Sequence, residues 1–427
     1  MNIEQITIQN FRNIGEPATF QLNRNFTVFI GINGKGKSTI LHALRVASGA
    51  FFLAIPEVKS RHILKDEIRI VETRKFLLQQ FPVKIEAKGK FSENSHQIIW
   101  RRQWIEGASA TTSRSADVGE IRQIASEKYN QLVKEQNDHI DLPIIAFFGI
   151  SRAVGAGRIT KKSRIQRLGR QIFKEGYQDW EEMKAVKFHY EEWLGTYDML
   201  VQNEKEYLGT KEAFFEAIKT ANPFINEIDF INGELWIKIK IDEQETGLLP
   251  LSFHSDGIHY FTAMIAEIAY RCVVLNGYKR ENAIKETSGI IMIDEIDLHL
   301  HPKWQRHVVN DLKKAFPKIQ FVVTTHSPFI VQSLESGELY NLDKDYSDAN
   351  PKDLSIGEVA EEVMGTDSIM SEENTNDEKL STKYFELLSG NKKMNEHIES
   401  ELNKIEIEIS DPGVRALLKM KRIEKSI

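Results

Sequence analysis

The chain has 427 residues, 41% hydrophobic and 28% charged; that is enough for two or three structural units and too apolar for global disorder. Its formal charge of −6, from 56 basic and 62 acidic side chains, excludes a uniformly basic nucleic-acid binder but leaves room for a local basic patch. The acidity is concentrated at one end: residues 1–340 carry 44 Lys/Arg against 42 Asp/Glu, and residues 341–427 carry 12 against 20.

One cysteine, Cys272, excludes an intrachain disulfide and fits a reducing compartment. It continues the helical stripe Phe261, Ile265, Ile268, so the expectation is a buried small hydrophobe. The longest apolar run, Leu142–Ile150, is far shorter than the ~20 residues that cross a bilayer. The first residues, MNIEQITIQNF, lack a cationic n-region. We therefore expect a soluble cytoplasmic protein with no signal peptide and no membrane partner.

In chain order, Ile3–Ile8 alternates as a strand, and Phe26–Ile30 is a denser apolar strand. A helix with Ile40, Leu41, Leu44 and Val46 as its apolar positions follows Gly31–Ser38. Residues 82–104 read as two antiparallel strands joined by SENS, and 108–117 as a polar loop. A helix at about 118–136 leads into the buried strand Leu142–Phe148. Gly155–Arg170 holds six basic residues and no acidic one, the best electrostatic candidate for meeting a phosphate backbone; a solvated loop is the competing reading. Residues 178–221 read as helices, and Ile228–Ile241 as a hairpin turning at Asn232-Gly233. A long amphipathic helix spans 258–275. Ile290–Ile293, a helix over 302–316, and Ile319–Val323 then give a strand–helix–strand unit of a parallel sheet.

Three motifs carry chemistry. Gly31 to Ser38 reads GINGKGKS, the GxxxxGK[ST] pattern, between a strand and a helix. Its glycines let backbone N–H groups wrap phosphates at a helix N-terminus. Lys37 would neutralise the β- and γ-phosphates, and Ser38 would ligate Mg²⁺. Gly289–Glu295 is a buried strand ending in two carboxylates: Asp294 suits the Mg²⁺ shell, and Glu295 suits polarisation of an attacking water. After the next strand comes Thr324-Thr325-His326-Ser327-Pro328, where His326 is a candidate for sensing the γ-phosphate.

This order, with Ser255-Asp256-Gly257 opening a helix before the Asp-Glu strand, resembles an ABC-type P-loop ATPase head of the RecF, SMC and OLD-like group. The resemblance implies an α/β head with a mixed or parallel sheet core, an antiparallel β subdomain, a helical lobe and a C-terminal helical tail. It implies ATP and Mg²⁺ as cofactors, with ATP held by Arg12, Asn13, Asn33, Gly34, Lys35, Gly36, Lys37, Ser38 and Thr39. Ser255, Asp256 and Gly257 would act as the signature that reaches nucleotide on a second copy, although His254 and Ile258–His259 depart from the usual LSGGQ. Asp297 would be the D-loop residue. Gln79, Gln80, Gln97 and Gln103 compete for the Q-loop. His299, His301 and His307 invite a zinc reading, but the LHLHP turn accounts for the first two and no fourth ligand is evident.

FFGISR, LPLSFHSDG, DEIDLHLHP, TTHSPF and EVAEEVMGTDSI are similar to the ATPases of Septu-type and retron anti-phage systems. That likeness implies a separate HNH nuclease as partner, with this chain lacking nuclease activity of its own. A RecF-like repair ATPase, with DNA or RNA touched through 158–170, and a nucleotide-dependent scaffold or sensor with little hydrolysis are the alternatives. The expected domains are an ATPase head over 1–340, with its helical lobe and insertions at about 105–221, and a helical tail over 341–427. In that tail Met394, Ile398, Leu402, Ile405 and Ile409 form an apolar stripe that either packs on the chain itself or docks a partner.

Overall fold

The computed structural model describes residues 1–427 except 75, 93–94, 151–168, 184–188, 242–243, 344–349, 366–379, 386, 389–395, 410–414, 416, 420 and 423–427. The basic stretch 158–168, Ser151-Arg152 of FFGISR and Met394 therefore lie outside the described residues. The chain divides into two units, Met1–Leu354 and Ser355–Ile427.

The first unit begins with β1 (Asn2–Gln9), β2 (Ala18–Gln21), β3 (Phe26–Ile30) and α1 (Lys37–Ser48). β4 (Ile70–Glu72), β5 (Leu77–Gln79), β6 (Val83–Lys90) and β7 (Ile98–Trp104) precede α2 (Ser115–Val133) and β8 (Ile144–Phe148). α3 (Gly169–Gly176), α4 (His189–Gln202) and α5 (Thr210–Ala221) form the helical part, followed by β9 (Ile225–Ile231), β10 (Glu234–Ile241), β11 (Gln244–Glu245) and β12 (Leu249–Pro250). Then come α6 (Asp256–Asn276), α7 (Ala283–Glu286), β13 (Gly289–Ile293), α8 (Pro302–Gln305), α9 (Val308–Ala315), β14 (Ile319–Thr324), α10 (Pro328–Gln332) and β15 (Leu339–Asn341).

The central sheet has the order β15-β3-β14-β13-β8, and every pairing in it is parallel. β3, β8, β13 and β14 are buried at every residue, as strands covered on both faces must be. Parallel strands put all their C-terminal ends on one edge, so whatever follows β3, β13 and β14 converges there. An antiparallel sheet, β2-β1-β6-β7, supplies the second layer. Its inward positions alternate with outward ones along β6 and β7. Buried Gln320 joins the two sheets: its Nε2 donates to the carbonyls of Ile3 and Asn23, and its Oε1 accepts the Ile3 N–H. The expected turn at Asn232-Gly233 joins β9 to β10, whose pairing shifts register once, between Lys238 and Ile239.

Two expectations need correction. The helix expected over 302–316 is broken at Arg306-His307 into α8 and α9. Gln305 ends the first piece, Arg306 and His307 form a turn, and Trp304 within α8 stacks on Phe224 with ring centroids 5.5 Å apart. The helix expected to be amphipathic over 258–275 is α6, and from Phe261 to Asn276 it is buried on every side. Its charged positions Glu267 and Arg271 do not face water. They pair with each other at 3.2 Å, and His189 Nδ1 lies 2.8 Å from Glu267 Oε1. Cys272 lies buried on this helix. By length and composition the stretch Asp256–Glu286 could cross a membrane, yet 83% of its apolar window is buried inside the protein, as a core helix would be.

Glu191, in the first turn of α4, predicts a pH dependence. Burial, with Glu234 nearby, raises its carboxyl from the ordinary 4.5 to about 7. Between those values the unfolded chain loses this proton and the folded one keeps it, so stability falls as pH rises from about 4.5 to 7. Urea midpoints measured across that window should decline in wild type and decline less in Glu191→Gln.

In the second unit, the helix Glu396–Glu408 carries Ile398, Leu402 and Ile405. These residues and Ile409 are buried together with Tyr384, Leu388 and Leu418 of the same unit. Glu406 lies within this cluster, accepting a hydrogen bond from Tyr384 and pairing with Arg422 at 3.1 Å.

Candidate nucleotide site

The loop after β3 turns through Gly34 and Gly36, whose φ angles of 88° and 105° favour glycine, before α1 starts at Lys37. The loop is fastened on both sides. From the β1 side, Asn13 Nδ2 donates to the Gly34 carbonyl at 2.6 Å, and Asn13 Oδ1 accepts the Thr39 hydroxyl at 2.7 Å. From the β15 side, Asp343 Oδ2 accepts the Ile32 N–H at 2.5 Å, and Asp343 Oδ1 stands 3.5 Å from Lys35 Nζ. Lys37 is folded back on its own loop, donating to the carbonyls of Gly31 at 2.5 Å and Ile32 at 3.3 Å. Burial lowers the basicity of its amine, and the carboxylates Asp343, Asp294, Glu295 and Asp297 oppose that shift.

Across the cleft, Asp294, the residue after β13, is almost wholly buried. Its Oδ1 accepts the Ser38 hydroxyl at 3.2 Å and the Thr324 hydroxyl at 2.6 Å. Thr324, the last residue of β14, also accepts the Glu295 N–H at 2.7 Å. Glu295 has φ 50°, a left-handed conformation that costs a non-glycine residue about 1–3 kcal/mol. It is held there by the Thr324 hydroxyl. Asp297 Oδ1 accepts the Thr325 hydroxyl at 2.6 Å and the His326 N–H at 3.4 Å, which fixes the backbone on which the His326 side chain stands.

These groups enclose a cleft of about 490 Å³, lined by Arg12, Asn13, Asn33, Gly34, Gly36, Lys37, Ser38, Thr39, Asp66, Asp294, Glu295, Thr324 and His326. Three adjacent strands, β3, β14 and β13, thus deliver a phosphate-binding loop, a hydroxyl–carboxylate pair and an exposed imidazole to one place. Ser38 and Asp294 are hard oxygen donors side by side, a set that fits Mg²⁺, an ion commonly held by one or two protein oxygens together with phosphates and water. Arg12 is partly committed elsewhere: its Nη2 donates to Glu67 at 3.0 Å. It also lines a larger cavity of about 750 Å³ with Arg45, Arg61, Glu181 and Glu182. That cavity lacks the phosphate loop, which the smaller cleft holds together with Asp294 and Glu295.

Several residues singled out in the sequence do not line the cleft. Lys35 faces Asp343 instead, and Asp297 acts from behind His326. Ser255, Asp256 and Gly257 are absent from the lining, as are Gln79, Gln80, Gln97 and Gln103. Ser255 stands at the N-cap position of α6 without a side-chain capping hydrogen bond, and the backbone of Gly257 lies against the segment that follows Asp297: a Cβ there would stand 2.1 Å from the His299 carbonyl oxygen. His301 accepts the Lys303 N–H at 3.2 Å as the cap of α8. Among the described residues no group of three or more His, Cys, Asp or Glu is gathered for a metal.

Asp66, Thr324 and Asp343 are site residues that sequence reading did not assign. Thr324 stands within the TTHSP motif, so its position was visible and its hydroxyl role was not. Asp343 is separated from Ile32 by 311 positions, and no local pattern marks it. Removing its acceptor should loosen the loop by about one hydrogen bond, ~0.5–1.5 kcal/mol. Asp343→Ala is therefore expected to weaken ATP binding about two- to tenfold in a fluorescent-nucleotide titration. Asp343→Asn keeps an acceptor for Ile32 and should stay within about twofold of wild type.

The fold and this cleft define a P-loop nucleotide-hydrolase head. Residues 26–332 match the family model AAA_21, described as "AAA domain, putative AbiEii toxin, Type IV TA system". The chain belongs to this family of ATPases. It is 23% identical over 393 residues to the "Retron Vc95 probable ATPase" of Vibrio cholerae serotype O1 biovar El Tor, covering 79% of this chain and 73% of that protein. It is 40% identical over 104 residues to the "Retron Ec83 probable ATPase" of Escherichia coli, 24% of this chain and 18% of that one. With the "Septu protein PtuA" of Bacillus thuringiensis it shares 37% identity over 128 residues, 27% of this chain and 31% of that protein. The chain thus spans most of the first relative and less than a third of the other two. Among solved structures, the SMC head domain from Thermotoga maritima is similar with a TM-score of 0.44 and 15% identity, covering 82% of this chain and 97% of that one.

Proposed function

We propose that this chain is a Mg²⁺-dependent ATPase of a cytoplasmic anti-phage system, which closes head to head on a second copy around nucleotide and so regulates a separate HNH nuclease. One observation carries the hydrolytic reading: Ser38, Asp294 and Thr324 form one hydrogen-bonded cluster beside Lys37 and Glu295 at the ends of three adjacent parallel strands. In this reading Lys37 leaves the Gly31 and Ile32 carbonyls and turns to the phosphates, while Asn13 keeps the loop in shape. Glu295 orients the attacking water and takes up its proton, and His326 donates to the γ-phosphate. A bound Mg²⁺, held by Ser38 and Asp294, would draw charge from the β- and γ-phosphate oxygens. Ser255, Asp256 and Gly257, outside their own chain's cleft, would face the nucleotide of the second copy, with Asp297 beside them.

The defence setting is supported by the retron and Septu names of the relatives, and the HNH partner by the resemblance of motifs to those ATPases. Co-purification of the full chain from its native host should recover an HNH nuclease. Recovery of repair factors and DNA instead would favour the RecF-like reading, which the six basic residues of 155–170 support. The departure from LSGGQ at His254 and Ile258 supports a scaffold with little turnover. Steady-state phosphate release with Mg²⁺ and ATP decides between scaffold and enzyme, because robust turnover excludes the scaffold.

A further inference from the structure

Among the described residues β4 and β5 form a two-stranded ribbon with no third strand, and apolar side chains on both of its faces are uncovered. Val71 pairs with Leu78 on one face, while Ile70 pairs with Gln79 and Glu72 with Leu77 on the other. Leu77 is 70% exposed and Phe76, at the turn, 67%. A lone hairpin is marginal in water, and a contiguous apolar patch of this kind marks an interaction surface. The segment that leads into the ribbon adjoins the nucleotide cleft. Arg69, just before β4, donates its guanidinium to the Asn13 carbonyl and its N–H to Asn10, and Asp66 lines the cleft.

A second uncovered apolar site lies immediately before Ser255. Phe253 is 77% exposed and Leu249 is exposed on β12. Two exposed acids, Asp256 and Glu245 (the latter 3.3 Å from Lys238 Nζ), flank this second site, whereas the ribbon carries the exposed base Arg74 beside the exposed acid Glu72.

We infer that the β4–β5 ribbon is a clasp that packs on the Leu249–Phe253 segment of a second copy of this chain when two heads close on nucleotide. The inference rests on the reading of Ser255 and Gly257 as acting on the partner's nucleotide. Under two-fold symmetry, what flanks Ser255 on one copy faces what flanks the cleft on the other. The two uncovered patches then meet twice per dimer, with Arg74 brought to the acidic side of the Phe253 patch. Neither patch needs to be satisfied within one chain.

The test uses the full chain with Mg²⁺ and a non-hydrolysable ATP analogue. Leu77→Asp and Phe253→Asp should each weaken the nucleotide-dependent dimer at least tenfold in sedimentation, while affinity of the monomer for a fluorescent ATP analogue stays within twofold. The only native cysteine, Cys272, is buried, so the parent chain is a blank for thiol chemistry. Mixing Leu77→Cys chains with Phe253→Cys chains and adding a short bis-maleimide should then give a heterodimeric crosslink only when nucleotide is present. A nucleotide-dependent dimer that forms normally in both Asp variants and yields no such crosslink overturns the clasp and leaves the head-to-head reading standing. Absence of any nucleotide-dependent dimer in wild type removes both. Loss of binding to a different protein in Leu77→Asp, with the dimer intact, also overturns the clasp and assigns the ribbon to that protein.

Discussion

Replacing Glu295 with Gln should slow steady-state phosphate release by about 10²–10⁴-fold, the usual contribution of a positioned general base, while ATP still binds. The amide is nearly the same size as the carboxylate and can still orient water, but it cannot take up a proton. The backbone conformation at 295 depends on the N–H donated to Thr324, and the substitution leaves that bond alone. A loss of turnover with nucleotide affinity unchanged is therefore expected, together with longer-lived nucleotide-bound dimers. Unchanged hydrolysis would mean that the base lies elsewhere, and His326, which lines the same cleft, would be the next residue to replace.

Glu67→Ala should be the most destabilising single change near the site. Glu67 is fully buried, and its Oε1 accepts from Arg61 at 2.7 Å and from Arg12 at 3.0 Å. Its Oε2 accepts the Leu64 N–H at 3.0 Å. Truncating it strands the buried Arg61 guanidinium and frees Arg12, a loss of about 3–5 kcal/mol by the usual cost of breaking a buried pair. Urea unfolding of the full chain should show that loss. Glu67→Gln, which keeps the acceptor but not the charge, should lose less. A midpoint equal to wild type in Glu67→Ala would show that Arg61 finds another partner, for which Glu181 at 3.9 Å is placed.

What could be read from sequence was what chemistry requires to be contiguous. A phosphate loop needs its glycines, lysine and serine within one turn, and a buried strand ending in two carboxylates is equally compact. Those segments therefore identified the parallel sheet and its ligand edge. Charge pairing inside the core was not legible in the same way. Glu267 and Arg271 look in sequence like the polar face of a surface helix, because an i,i+4 pair has the same spacing whether it faces water or another side chain. The break between α8 and α9 escaped notice because the turn at Arg306-His307 has no glycine or proline to mark it. The β4–β5 ribbon was missed because strands of three residues leave no period to detect. Asp343 and Glu67 carry no motif at all; their importance arises from what the fold places beside them.

The cluster at Asp294 also has a direction. The Glu295 N–H points at the Thr324 oxygen, the Thr324 proton points at Asp294, and the Ser38 proton points at the same carboxylate oxygen. A cation held between Ser38 and Asp294 would take a lone pair from each, so Ser38 would have to turn its proton away, while Asp294 keeps lone pairs for the Thr324 hydroxyl. Thr324 would then be the one hydroxyl joining the metal-side carboxylate to the backbone of Glu295, whose left-handed turn it holds. A change of ligand at Asp294 would have a path of two hydrogen bonds to the residue proposed to activate water.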